Sequence, residues 1–298
     1  YLKLTQRIAS RRSSPVRQHN MSDAQKSDSI NTAQQVPIVI LTDLDGTLLD
    51  HHNYSTTAAK ETLALIKEHK LPLIFNTSKT QAEVTQLRRQ LDNTSPYVCE
   101  NGSALYYPDE TGQMTCLVPG ASYDTILKVL SQLRKDGFHF RGFNDMTDTE
   151  VAAVTGLSTD DAYLAKQRAA TEPLLWQGSV EELAAFQAAL TDHNLRLLEG
   201  GRFYHVMGRA DKAEGVSFFR DFYHKHWQSE PTMIALGDGG NDVAMLEVAD
   251  FPIIIPGDKR TITVNNTNAV TADFKGPKGW NQILLPLLQQ LIKENCGG

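Results

Sequence analysis

Four short stretches hold the side chains best suited to chemistry. In Leu41-Thr42-Asp43-Leu44-Asp45-Gly46-Thr47-Leu48-Leu49-Asp50, two carboxylates stand two residues apart before a glycine. If a strand runs through Asp45, its period of two sends Asp43 and Asp45 the same way, and Gly46 permits the turn beyond. Two such carboxylates can divide labour: one stays ionised and attacks, while its neighbour's charge raises the pKa of the other, which can then pass protons. A carboxylate that attacks phosphorus forms an aspartyl-phosphate. The competing reading is an Asp-rich turn at a strand end.

The other three stretches supply what such a pair needs. Phe75-Asn76-Thr77-Ser78-Lys79-Thr80 puts hydroxyls where a strand gives way to a helix, a place that suits an anion held by Thr77, or simply a helix cap. Lys212 opens a helix, where its charge runs against the helix dipole. That misfit points to a role in holding negative charge, against the commoner fate of a solvated lysine. Leu236-Gly237-Asp238-Gly239-Gly240-Asn241-Asp242 places Asp238 and Asp242 one helical turn apart, among glycines that let backbone approach a ligand. Carboxylate oxygens of this kind suit Mg²⁺. No His/Cys cluster has the spacing of a zinc site.

The elements that must position these residues follow a βαβ rhythm. Val36–Leu44 reads as a buried parallel strand, Ser55–His69 as an amphipathic helix, Leu71–Phe75 as a strand, Thr80–Leu91 as a helix and Pro96–Cys99 as a strand. The middle third changes character. It has a hairpin of Ala104–Tyr107 and Met114–Val118, helices over Tyr123–Lys135 and Val180–Leu190, and strands Phe138–Arg141, Leu174–Gln177, Leu195–Glu199 and Phe203–Met207. After Gly208 the first rhythm returns, with helix Lys212–His226, strand Thr232–Leu236, helix Asp242–Val248, strand Phe251–Ile255 and a last helix Lys278–Lys293. The expected fold class is α/β, a doubly wound, Rossmann-like parallel sheet with an inserted α+β unit. The core takes residues 36–108 and 208–298, the insertion 109–207.

Composition narrows the function classes. A formal charge of −6 over 298 residues, with 41% hydrophobic and 21% charged residues, offers no general attraction to nucleic acid or anionic membrane. No apolar run reaches the roughly 18–20 residues of a membrane helix. Three cysteines without metal spacing fit a reducing cytoplasm. Residues 1–20 carry four arginines and no acid, which reads as upstream sequence or an unstructured leader before Met21 rather than a transit peptide, and residues 1–35 as a disordered tail.

In this order the four motifs resemble the haloacid dehalogenase superfamily of phosphohydrolases. That resemblance implies Asp43 as nucleophile, Asp45 as general acid and base, and Thr77 and Lys212 as phosphoryl ligands. It also implies a Mg²⁺ site of Asp43, Asp238 and the backbone carbonyl of Asp45, with Asp242 in support. The inserted segment resembles the superfamily's type IIB cap, a lid that selects substrates. Within that group, the motifs Asn76-Thr77-Ser78-Lys79-Thr80, Glu100-Asn101-Gly102, Met146-Thr147, Val154-Thr155-Gly156-Leu157, Arg168 to Trp176, Gly200-Gly201-Arg202-Phe203-Tyr204-His205 and Gly276-Pro277-Lys278-Gly279-Trp280-Asn281 resemble the mannosyl-3-phosphoglycerate phosphatase family. Gly239-Gly240 departs from that family's usual serine and follows the broader sugar-phosphatase pattern.

The resemblance implies hydrolysis of mannosyl-3-phosphoglycerate to mannosylglycerate, a compatible solute, and phosphate. Ser78, Lys79, Glu100 and Asn101 are then substrate-binding candidates. Arg168, Arg202 and His205 are candidates for its carboxylate, and Glu172 for sugar hydroxyls. Rival expectations are a phosphatase of another sugar phosphate, a phosphomutase and a non-catalytic sugar-phosphate sensor.

Overall fold

The computed structural model describes residues 36–200, 202–257 and 262–296, so the expectations for residues 1–35 lie outside the described residues. The chain begins β1 (Ile38–Thr42), α1 (Lys60–Glu68), β2 (Leu73–Asn76), α2 (Gln81–Gln90), β3 (Tyr97–Cys99), β4 (Ala104–Pro108), β5 (Met114–Leu117). The inserted unit follows as α3 (Tyr123–Lys135), β6 (Phe140–Gly142), α4 (Asp148–Thr155), α5 (Thr159–Ala165), β7 (Thr171–Trp176), α6 (Val180–Asp192), β8 (Arg196–Glu199) and β9 (Tyr204–Met207). The chain closes with α7 (Lys212–Trp227), β10 (Thr232–Gly237), α8 (Val243–Val248), β11 (Phe251–Ile254), β12 (Val270–Thr271) and α9 (Gly276–Cys296).

Eight strands form one sheet in the order β12-β11-β10-β1-β2-β3-β4-β5, parallel from β12 to β3 and antiparallel beyond. Strand β1 is buried along its whole length, as a continuous aliphatic run at the centre of a covered sheet should be. Its alternate residues feed two layers. Ile38 and Ile40 pack with Ile66, Val84, Trp280 and Leu284 of α1, α2 and α9, while Val39 and Leu41 pack with Val216 and Phe219 of α7 and Met245 and Leu246 of α8. The fold is therefore the expected doubly wound α/β core.

The inserted unit carries a second, antiparallel sheet, β6-β7-β9-β8, covered by Ile126, Leu130 and Leu133 of α3 and Phe186 and Leu190 of α6. Strand β5 pairs with β4 and so belongs to the large sheet, which places this hairpin on the core side of the boundary expected at residue 109. Helices α4 and α5 have no counterpart in the sequence reading. Each begins with a hydroxyl cap: Thr147 Oγ1 accepts from Glu150 N, and Ser158 Oγ accepts from Asp161 N. Their apolar residues form a small cluster of their own around Val151, Ala162 and Ala165.

The chain enters and leaves the inserted unit at one crossing. A Cβ on Gly208 would lie 2.9 Å from the Gly120 Cα and 2.7 Å from the Ala121 nitrogen, so the two linkers touch backbone to backbone. Among the described residues, no helix is long and apolar enough to cross a membrane.

Candidate active site

Strand register delivers the chemistry to one edge. Thr42, the last residue of β1, lies beside Leu236 of β10 and Phe75 of β2. Asp43, Gly237-Asp238 and Asn76-Thr77 therefore leave the sheet at the same level, in the crevice at the carboxyl ends of parallel strands where such folds bind ligands. The Asp43 N–H donates to the Leu236 carbonyl at 2.9 Å, carrying the pairing one residue past the strand. Strand β1 ends at Thr42, not Asp45, so a common strand face does not align the two aspartates. The chain turns there instead: Gly46 has a φ of 81°, and a Cβ there would sit 2.8 Å from Asp238 Oδ2, so the turn packs against the Asp238 carboxylate.

Lys212 is completely buried, and its Nζ donates to Asp43 Oδ1 and to Asp242 Oδ1, each at 2.6 Å. Burial alone would lower its pKa, but the Asp242 and Asp43 carboxylates more than offset that and hold it above its ordinary value. Asp242 spends its other oxygen on the N–H groups of Asp238 and Gly239, at 3.0 and 2.9 Å. Burial, reinforced by Asp242 and Asp238 and opposed by Lys212, raises the Asp43 pKa well above the usual carboxylate value. Burial and Asp242 likewise push Asp238 up to about 6.

Carboxylate oxygens of Asp43, Asp238 and Asp242 lie within 4.8 Å of one another. Three carboxylates faced by one ammonium leave excess negative charge, which adds to burial in raising the Asp43 and Asp238 pKa values. This donor set, all hard oxygen, fits Mg²⁺. Asp45 is not among those carboxylates: its Oδ2 pairs with Lys79 Nζ at 2.9 Å, while its Oδ1 is buried without a hydrogen-bond partner.

Thr77 is buried, its Oγ1 accepting from Lys79 N at 3.3 Å. Glu100, Asn101 and Gly102 follow β3 as a turn with φ values of 54°, 56° and 93°. Asn101 N donates to the Thr77 carbonyl at 2.9 Å, and Asn101 Oδ1 accepts from Asn241 Nδ2 at 3.1 Å. Gly102 lies against the residue that caps α7; a Cβ there would fall 1.8 Å from the Asp211 carbonyl oxygen. Glu100 is fully buried, with its carboxylate accepting from Ala169 N, Ala170 N and Thr171 Oγ1 at 2.7, 3.1 and 2.7 Å. Those bonds fasten the inserted unit to the core, so Glu100 positions that unit and is not available to substrate.

Two further substrate candidates are engaged elsewhere. Glu172, in β7 of the second sheet, is buried and accepts from Tyr123 Oη at 2.7 Å and Asn144 N at 2.8 Å, out of reach of sugar hydroxyls. Arg202 is exposed, and its guanidinium donates to the Val154 and Thr155 carbonyls, closing the end of α4. Arg168 does reach the crevice: it donates from Nη1 to the Ser78 carbonyl across the seam at 3.2 Å. His205 stands near it with a buried, unpartnered Nδ1; burial, with the Arg168 charge, pushes its pKa down to about 3 and keeps the ring neutral. The seam is also tied by Thr80 Oγ1, which donates to the Leu164 carbonyl of α5 at 2.9 Å.

Two supporting residues have roles the sequence reading did not assign. Thr47 Oγ1 donates to Asp238 Oδ1 at 2.9 Å, a hydroxyl already visible in the first motif. Trp280, fully buried in α9, donates to Thr42 Oγ1 at 3.1 Å, and Thr42 Oγ1 in turn donates to the Asp43 carbonyl at 2.7 Å. Its indole thereby braces the backbone at Asp43 through Thr42, 238 positions away in sequence.

The comparisons with known proteins agree with this geometry. A family model described as haloacid dehalogenase-like hydrolase matches residues 40–272. A glucosyl-3-phosphoglycerate/mannosyl-3-phosphoglycerate phosphatase of Persephonella marina is 33% identical over 271 residues, covering 87% of this chain and 100% of that one. A protein of the same description from Methanococcoides burtonii is 36% identical over 264 residues, covering 84% and 97%. The HAD subclass IIB sugar phosphatase BT4131 shares the fold, with a TM-score of 0.57 at 15% identity over 85% of this chain and 98% of that one. By its motifs, its sheet and these matches, the chain belongs to the haloacid dehalogenase-like hydrolase family, with the subclass IIB fold.

Proposed function

We propose that the protein is a Mg²⁺-dependent phosphatase of hexosyl-3-phosphoglycerates, mannosyl or glucosyl, acting through an aspartyl-phosphate on Asp43. The observation that carries this reading is the buried Asp43–Lys212–Asp242 assembly beside Asp238 at the carboxyl edge of the sheet, with Asp45 two residues beyond. The substrate class is supported by the names of the two relatives.

Asp43 attacks phosphorus in line, and the bond to the sugar-acid oxygen breaks as Asp45 gives that oxygen a proton. Water then attacks the phosphorus of the aspartyl-phosphate, Asp45 takes its proton, and free phosphate and the Asp43 carboxylate are restored. Lys212 fixes the orientation of Asp43 throughout, and Thr77 offers its hydroxyl to the phosphoryl oxygens. Mg²⁺, held by Asp43 and Asp238 with Asp242 behind them and the Asp45 carbonyl beside them, would neutralise phosphoryl charge. Arg168, with the neutral His205 next to it and Ser78 and Lys79 below, meets the substrate carboxylate; Asn101 holds the phosphate loop to the metal loop. The core is residues 36–108 and 208–298 together with the β5 hairpin, and the remainder of the insertion is the cap.

The test is Mg²⁺-dependent phosphate release from mannosyl- and glucosyl-3-phosphoglycerate beside sucrose phosphate and hexose phosphates, with Asp43→Asn as control. Release that survives in Asp43→Asn would refute the nucleophile, and a clear preference for a plain hexose phosphate would refute the substrate class.

A further inference from the structure

Immediately after the first motif, the chain closes a small loop at the rim of the crevice. Asp50 N donates to the Ser55 carbonyl, Tyr54 N donates to the Asp50 carbonyl, and Asp50 Oδ1 accepts from His52 N and Asn53 N. The loop holds Tyr54 at a φ of 56°, a left-handed conformation that a bulky side chain adopts only at a cost. Despite its apolar area, the Tyr54 residue is 55% exposed. The Lys79 ammonium stands 5.6 Å from the ring centroid and 2.9 Å from Asp45 Oδ2, so the ring lies no farther from that oxygen than those two distances together.

Position decides what this ring can meet. Asp45 protonates the oxygen that leaves phosphorus, so whatever that oxygen carries must extend past Asp45, away from Asp43 and Lys212. Lys79 pairs with Asp45 and carries Tyr54 beside it, so both stand next to that path. An aromatic face is electron-rich and pairs with the weakly positive C–H face of a pyranose ring, while the ammonium beside it suits hydroxyls or a carboxylate.

We propose that Tyr54 is a sugar-binding residue, a platform on which the hexosyl ring of the leaving group stacks while Asp45 acts on the oxygen being released. The proposal rests on the phosphatase reading above and adds to it a determinant in the core rather than in the cap.

The experiment compares kcat/KM for the hexosyl-3-phosphoglycerates with kcat/KM for 3-phosphoglycerate, which has the same phosphate and carboxylate but no sugar. The variants are Tyr54→Phe and Tyr54→Gly, the latter suited to the left-handed backbone and so free of a folding penalty there. In Tyr54→Gly the ratio should fall about three- to tenfold, the size of one lost aromatic stacking contact, and mainly through KM. In Tyr54→Phe it should stay within about twofold, because the ring remains. An equal fall for both substrates would show that Tyr54 only supports Lys79 and Asp45, and an unchanged ratio would show that it meets no sugar; either result overturns the proposal. If the wild-type protein instead prefers a plain hexose phosphate, the substrate reading fails separately. The same ratio, hexose phosphate over glycerol phosphate, then decides Tyr54.

Discussion

Replacing Lys212 by methionine keeps the side chain out to the ε-carbon position and removes the ammonium from a fully buried site. The ammonium makes two contacts of 2.6 Å, to Asp43 and Asp242. At an effective dielectric of about 20, each corresponds to roughly 6 kcal/mol of attraction, most of it offset by the desolvation of the ions. What the variant exposes is the other half of that balance: two buried carboxylates facing each other and Asp238 with no cation. Losing one partner of a buried ion pair costs about 3–5 kcal/mol, and that is the expected loss in urea unfolding near pH 7.5. The pH dependence has a fixed sign. Carboxylates whose folded pKa is raised stabilise the fold fully below their unfolded value and lose that contribution as pH rises through the folded value. The gap between wild type and Lys212→Met should therefore narrow as pH falls toward about 5, and Mg²⁺ should narrow it at neutral pH by binding only the folded state. A gap under about 1 kcal/mol, or one independent of pH, would refute the view that Lys212 compensates this cluster.

Two other outcomes follow from the same geometry. Because burial and Asp242 hold Asp238 up to about 6, protons should compete with the cation there, so that Mg²⁺-induced thermal stabilisation is constant above about pH 7 and declines below 6; a decline centred near pH 4 would contradict this. Gly102→Ala should reduce activity at least about a hundredfold and destabilise the protein by about 3 kcal/mol or more, since its methyl group would occupy the Asp211 carbonyl and push the first turn of α7, with Lys212, away from Asp43. Calorimetry and phosphate release measure both effects, and a melting point within a degree or two of wild type would count against it.

Most of the core was legible because its central strands are short apolar runs, β1 being rich in β-branched residues, between amphipathic helices; the two-residue edge strand β12 is too short to leave such a pattern and has no counterpart in the sequence reading. Three of the four motifs were legible for a related reason: each sits where a strand stops, and the parallel register of β1 with β2 and β10 carries Asp43, Thr77 and Asp238 to one level. Lys212 announced itself as a charge in an unfavourable place. The insertion was harder. Helices α4 and α5 bury few apolar residues, and their capping signals, Thr147 with Glu150 and Ser158 with Asp161, are easily taken for loop. Glu100, Glu172 and Arg202 look like binding groups by residue type, yet bonds to distant backbone or to Tyr123 occupy them, and no local pattern reveals such partners. Trp280 illustrates the same limit in reverse, an apolar helix residue by pattern whose one polar atom reaches Thr42 at the end of β1.

The turn at Glu100, Asn101 and Gly102 sets a boundary for redesign. Its three residues touch the tether of the insertion, the Thr77 loop, the loop of Asp238–Asp242 and the helix that bears Lys212. A graft that exchanges the insertion for a foreign one therefore has to present two backbone N–H groups and a hydroxyl where Ala169, Ala170 and Thr171 now stand. A graft that lacks them strands a carboxylate in the interior, directly behind the residues that align the chemistry. Libraries aimed at new substrates are better directed at the rim around Tyr54 than at Arg168, whose guanidinium donates to the Thr171 hydroxyl of that joint.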